Sequence, residues 1–223
     1  MLIEDTSLRN KYDIFETRVE AGEQLTKFVK DKVDIVLAIP NGGVSVAKPI
    51  IKKFKPPEFN LLLIRKVHLP WTREAGMGAI TPDGEVFFNK ELIHTYNIKE
   101  KTIEQKVKDA ADAIELRKKE YELTDYTVEN KTVLLTDDGI ASGFSMIAGS
   151  TWLRDKGAKK VIVAVPTAPH DSIKKIEELV DIVICLNVRT KYPFAVADAY
   201  RNWYDVPSLE VKKLLKEINE IMT

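Results

Sequence analysis

The sequence predicts an α/β protein: a Rossmann-like parallel sheet with helices on both faces, carrying a flexible loop with a hairpin. Three observations lead there. Short apolar runs without polar alternation, VDIVLAI at 33–39, VLL at 133–135 and VIVAVP at 161–166, read as strands buried on both faces. Amphipathic segments separate these runs, so β and α alternate, and right-handed crossovers then make the strands parallel. Two strands run straight into Gly-containing turns that open helices, at Pro40–Gly43 and Gly139–Gly143. Ligands in such sheets bind beyond the carboxyl ends of the strands, which is where both turns fall.

A length of 223 residues suits one domain over 1–223 with a sizeable core. Lys plus Arg and Asp plus Glu are equal at 34 each, and no basic stripe with interleaved aromatics suggests nucleic acid. Any small anion must therefore be bound by local geometry. The single cysteine, Cys185, excludes an intramolecular disulfide, and no apolar run approaches the ~18 residues of a membrane span. The polar, acidic start MLIEDTSLRN is wrong for a secretory signal, so the expectation is a cytoplasmic protein. Charged residues at 30% and few glutamines lean toward a thermophile.

Taken in order, Thr17 to Lys30 reads as a first helix packed through Val19, Leu25, Phe28 and Val29. Val33 to Ile39 is a strand, Pro40-Asn41-Gly42-Gly43 a tight turn, and Val44 to Phe54 a helix. Asn60 to Lys66 reads as the next strand, delivering Arg65 and Lys66 to its end, where two cations suit a pyrophosphate. The segment from Leu69 to Gly84 has three glycines, two prolines and no period. It reads as a mobile loop, about 67–85, leading into a hairpin that ends at Val86 to Asn89. A long helix follows from Ile98 to Glu122. After the central strand come a helix from Phe144 to Asp155, a strand from Val161 to Pro166, a helix from Ser172 to Leu179 and a strand from Asp181 to Leu186. A last amphipathic helix runs from Ser208 to Met222.

The most informative stretch is TVLLTDDGIASGFSM, Thr132 to Met146. A buried strand enters two carboxylates, Asp137 and Asp138, then the loop Gly139, Ile140, Ala141, Ser142, Gly143, then a helix from Phe144 and Ser145. Gly139 and Gly143 let the backbone take positive φ and approach a ligand, while the helix start adds unpaired N–H groups. Such a nest holds a phosphate monoester. The acids behind it accept hydrogen bonds from two sugar hydroxyls or bind a divalent metal. A ribose 5-phosphate satisfies every part, whereas a capped turn would explain one serine and neither acid.

This string resembles the PRPP-binding motif of type I phosphoribosyltransferases, where two acids precede a loop ending in Ser/Thr-Gly-x-Ser/Thr. It lacks the lysine of a P-loop. The order PNGG, RK, a loop, DDGIASGFSM, AVPTAP and FAVADAY extends the resemblance over nearly the whole chain. What it implies is transfer of ribose 5-phosphate from PRPP to a nucleobase or similar nitrogenous acceptor, with release of pyrophosphate and Mg2+ as cofactor. Asp137 and Asp138 would contact the ribose and, through water or PRPP, the metal, and residues 139–145 would cradle the 5-phosphate. Asn41, Gly42, Gly43, Arg65, Lys66 and Arg73 would meet the pyrophosphate. Glu74, on the closing loop, is a candidate proton acceptor.

The resemblance further implies a hood, about 187–205, over the acceptor, with Phe194, Ala195, Val196 and Tyr200 as candidate walls. A homodimer is compatible with it. Two departures matter. The pyrophosphate turn carries uncharged Asn41 where the family has a basic residue, which motivates the alternative of a non-catalytic sensor of PRPP or nucleotides. Ala141 stands where purine-salvage enzymes have a further acid, which resembles the adenine- or orotate-type pattern. The histidines, His68, His94 and His170, lack ligand spacing. A receiver-like domain phosphorylated on Asp137 would leave Ser142, Gly143 and Ser145 unused.

Overall fold

The computed structural model describes residues 1–72 and 76–223. Six parallel strands form the main sheet in the order β1-β9-β8-β7-β2-β3. They are β1 (Leu2–Glu4), β2 (Ile35–Ala38), β3 (Glu58–Leu61), β7 (Thr132–Thr136), β8 (Lys160–Pro169) and β9 (Ile182–Arg189). A second sheet is antiparallel, with β4 (Arg65–His68), β5 (Gly76–Ile80) and β6 (Val86–Phe88) in sequence order. Helices α1 (Arg18–Leu25), α2 (Gly42–Phe54), α3 (Lys90–Thr95), α4 (Glu100–Glu120), α5 (Phe144–Asp155), α6 (His170–Glu177) and α7 (Ser208–Met222) complete the chain.

The expected sheet architecture is present, and alternation within its strands explains why both faces are covered. On β2, Val36 and Ala38 join the core shared with α1, α2 and α7, while Ile35 and Leu37 join the core shared with α5 and α6. The β2, β7 and β8 strands are paired in register, Ala38 opposite Thr136 and Thr136 opposite Ala164, so β2 and β7 finish at one level while β8 runs on to Pro169. That level is where Asn41 and the Asp137–Asp138 pair emerge. Among the described residues no helix is long and apolar enough to cross a membrane.

The structure corrects several readings. Residues 60–66 are not one strand: β3 stops at Leu61, Ile64 N–H folds back on Leu62 O at 3.0 Å, and Arg65 starts β4 in the second sheet. Part of the expected mobile loop is strand β5, where Met77, Ala79 and Ile80 are buried. The helix read from Thr17 shows Val19 to solvent and buries Arg18, because the useful partner on that face is a carboxylate. Leu2–Glu4, read only as a polar start, pairs with β9 as an edge strand.

Candidate active site

The acids leave β7 with their backbone already fixed. Thr136 Oγ1 donates to Ala164 O at 2.7 Å, and Asp138 N–H donates to Asp137 Oδ1 at 2.8 Å. Arg18 Nε reaches Asp138 Oδ2 at 2.7 Å, with its own side chain 6% exposed. Its guanidinium lies 4.0 Å from the centre of the Trp203 ring, with Tyr200 at 5.7 Å and Tyr204 at 5.5 Å. Arg18 is thus held between aromatic faces and Asp138, an arrangement no periodicity in the sequence announces. Tyr200 donates its hydroxyl to Asp138 O at 2.5 Å, and burial, then the Asp138 charge, push the phenol well above its ordinary range.

Asp137 and Asp138 do not share one environment. Loss of solvent, then the adjacent Asp138 carboxylate, hold Asp137 well above the usual carboxylate range. Asp138 keeps Oδ1 without a protein donor among the described residues. Asp138 therefore stands as an ion pair with Arg18, while Asp137 is the acid whose pKa loss of solvent raises.

The glycines of the Pro40–Gly43 turn are closely packed on the acid pair. They form the first turn of α2, and a Cβ on Gly42 would lie 1.9 Å from Asp138 Oδ2. On Gly43 it would lie 3.0 Å from Thr136 O. Their lack of a Cβ lets the acid pair pack against the start of α2. The Asn41 amide, read as a free donor, is also engaged: Nδ2 donates to Val206 O at 2.7 Å. Its Oδ1 accepts from Arg117 Nη1 at 2.8 Å and Tyr121 Oη at 3.2 Å. The Pro40–Asn41 peptide is cis.

Arg117, on α4, is the residue that sequence reasoning missed. It lines a cleft of about 300 Å³ together with Pro40, Arg65, Lys66, His68, Asp137 and Ser145. Burial, then the nearby Arg117 charge, lower the Arg65 pKa, which marks two guanidinium groups facing a common space. A second cleft of about 560 Å³ shares Arg65, Lys66 and His68 and continues past Trp71 and Lys106. An amphipathic helix remote in sequence gave no hint of Arg117, since its charges read as a solvated face.

The loop after the acids is anchored from beneath. Ile140 N–H donates to Thr167 O at 3.0 Å, and Ser172 Oγ donates to Ala141 O at 2.8 Å. Gly143 sits at φ +85° immediately before α5, so its lack of Cβ is used for backbone conformation. Gly139 is not at positive φ, and a Cβ there would meet Val196 Cγ1 at 2.4 Å. Among the described residues, the N–H groups from Ala141 to Ser145 have no protein acceptor. Together with the start of α5 they form a concave set of donors beside Asp137.

Of the candidate walls, Tyr200 is 3% exposed and packs on Phe15 at 5.7 Å between centroids, so it belongs to the core and supports Asp138. Val196 lies on Gly139, Phe194 is half-buried and Ala195 is exposed. Arg73 and Glu74 lie outside the described residues.

Residues 19–200 match the phosphoribosyl transferase domain. The chain belongs to this family. A Mycobacterium tuberculosis protein, Rv0571c, provisionally named a phosphoribosyl transferase, is 31% identical over 218 residues, covering 91% of this chain and 46% of its own length. The same figures hold for MT0597 of a second strain of that organism. The chain thus spans about half the length of the curated relatives it matches. The crystal structure of TT1426 from Thermus thermophilus superposes with a TM-score of 0.74 at 26% identity, covering 91% of this chain and 98% of that one. For this phosphoribosyl transferase domain, the fold and the acid-loop-helix unit coincide with the matched span.

Proposed function

We propose that this protein transfers the ribose 5-phosphate group of PRPP to a nitrogenous acceptor, releasing pyrophosphate. The observation that carries this is the cleft in which Ser145 and Asp137 face Arg65, Lys66 and Arg117. Ser145 from the phosphate nest, the carboxylate of Asp137 and three cations match the 5-phosphate, ribose hydroxyls and diphosphate of one substrate.

The loop from Gly139 to Ser145 binds the 5-phosphate through its free N–H groups. Asp138, fixed by Arg18, accepts from a ribose hydroxyl through Oδ1, and Asp137 stands beside it. Arg65, Lys66 and Arg117 hold the diphosphate and stabilise the charge it gains as it departs. The bond from ribose C1 to the diphosphate oxygen breaks with its electron pair going to pyrophosphate, and a bond from the acceptor nitrogen to C1 forms. The acceptor's ring proton leaves to pyrophosphate or solvent.

Among the described residues no group of three or more His, Cys, Asp and Glu could hold a metal, but the Asp137 carboxylate lines the cleft with the cations and Asp138 follows it in the chain. That donor set fits Mg2+ arriving with the substrate, contacted by Asp137 and Asp138 through water. When bound, the ion neutralises diphosphate charge.

The sensor alternative rested on the missing charge at Asn41. Arg117, held by Asn41 Oδ1, brings a guanidinium to that place and favours turnover. The test is calorimetry with PRPP and Mg2+, followed by measurement of pyrophosphate release across a panel of nitrogen heterocycles. Binding followed by acceptor-dependent release supports the proposal. Failure to bind PRPP overturns it, and binding with no release for any ring returns the sensor reading.

A further inference from the structure

Under the hood lies a charge that the cleft does not use. Arg189, the last residue of β9, is 2% exposed, and its Nε, Nη1 and Nη2 are all buried without a hydrogen-bond partner. The nearest carboxylate oxygen, Asp198 Oδ2, is 3.9 Å from Nη1 and already accepts from Ala195 N–H at 3.1 Å. The guanidinium lies near two rings, with the centre of Tyr12 at 3.8 Å and that of Phe194 at 5.7 Å. Its three nitrogens, by contrast, donate no hydrogen bond among the described residues. A buried charge with no hydrogen bonds is costly, and proteins keep one where a ligand or water completes it.

Two observations tie this residue to the active site. The hood turn 196–199 places Val196 against Gly139 at the acid loop, and Asp198, two residues on, faces Arg189. One short turn therefore spans from the ribose site to the guanidinium. Tyr12, whose ring lies 3.8 Å from the guanidinium, is itself 55% exposed and lies outside any helix or strand.

The phosphate groups of PRPP already have partners in the Gly139–Ser145 nest and the Arg65, Lys66 and Arg117 cluster. Arg189 is left for the other substrate. A planar fork of N–H donors matches a carboxylate in two parallel hydrogen bonds, and the flanking rings match a flat molecule. We propose that the acceptor is a planar nitrogen heterocycle bearing a carboxylate, which pairs with Arg189, lies against Phe194 and displaces Tyr12. This rests on the transferase reading above.

The experiment uses matched rings, uracil with uracil-6-carboxylate and imidazole with imidazole-4-carboxylate. Each is tested for binding to the PRPP-bound protein by calorimetry and for pyrophosphate release. The carboxylated member of at least one pair is expected to bind about 30-fold or more tighter, the worth of a charge-assisted pair. Arg189→Met removes that preference, and Arg189→Lys, which keeps charge and length but not the fork, recovers part of it. PRPP affinity stays unchanged in both. Tyr12→Ala is expected to speed association of the carboxylated ring.

Equal affinity for the members of every pair, or a preference that survives in Arg189→Met, overturns the proposal. So does a carboxylate preference lost together with PRPP binding, which would mean the variant damages the fold. Should carboxylated rings bind through Arg189 without pyrophosphate release, the transferase reading fails while the acceptor-site assignment stands.

Discussion

Arg18 Nε and Asp138 Oδ2 stand 2.7 Å apart although 120 residues separate them in the chain, and both side chains are at least four-fifths buried. The pair joins α1 to the carboxyl end of β7 and leaves Asp138 one oxygen for a ligand. Arg18→Met strands a carboxylate beside Gly42 and is expected to cost about 3 kcal/mol or more of folding stability. The Arg18→Met/Asp138→Asn double variant should recover much of that loss. Urea denaturation of the four forms gives the coupling; a cost below about 1 kcal/mol for Arg18→Met would mean the pair is not structural.

Asp137 gives a pH dependence of definite sign. Its pKa in the folded protein lies above that of an unfolded aspartate, about 3.9. The folded state therefore binds more protons between the two values, and stability falls as pH rises through that window. Asp137→Asn keeps the oxygen that accepts Asp138 N–H and removes the charge. Its melting temperature should exceed the wild type's near pH 7 and converge with it below about pH 4, while PRPP affinity drops about tenfold or more. A melting difference independent of pH contradicts this account.

Two glycines separate conformational from steric demand. At Gly143 an added Cβ meets nothing nearer than 3.5 Å, but φ is +85°. Gly143→Ala should cost about 1–2 kcal/mol in stability through the backbone alone, and Gly143→Val should abolish ribose 5-phosphate binding while the protein stays folded. At Gly42 the backbone is helical and an added Cβ falls on Asp138. Gly42→Ala should therefore displace the acid and act like a loss of the Arg18–Asp138 pair. Denaturation and ribose 5-phosphate titration distinguish the two; equal profiles would refute the distinction.

Arg117 is expected to matter for diphosphate and not for the 5-phosphate. Arg117→Met should weaken pyrophosphate binding about tenfold or more and leave ribose 5-phosphate affinity within about twofold. Asn41→Ala, which releases Arg117 and Tyr121, should show a milder form of the same selectivity. Loss of both affinities together would assign Arg117 to the fold.

Strands and helices with strong periodicity were legible in the sequence, α5 and α7 to the residue, because burial on one or both faces writes itself into spacing. The string from Asp137 to Ser145 was legible as a unit because capping and turn chemistry are local. What sequence could not show were contacts between distant segments. Arg18 drew no notice beside Val19 in the first helix, Arg117 looked like one of many solvated charges and Arg189 fell in the hood, beyond the strand read as ending at Leu186. The uncharged Asn41 was visible, but not that its oxygen holds a guanidinium from α4. Tyr200 was rightly noticed among the aromatics of the hood, yet its place in the core depends on Phe15 and Asp138.

The strands β4, β5 and β6 pair only with one another among the described residues, and β4 brings two of the three cations to the cleft, whereas the acids and the nest belong to the main sheet. Within that described span no ladder bond links the two layers. On the proposed transferase reading, a tilt of the smaller layer would tighten or relax the grip on the leaving group without breaking backbone pairing in either one, so product escape need not disturb the cradle proposed for the sugar phosphate.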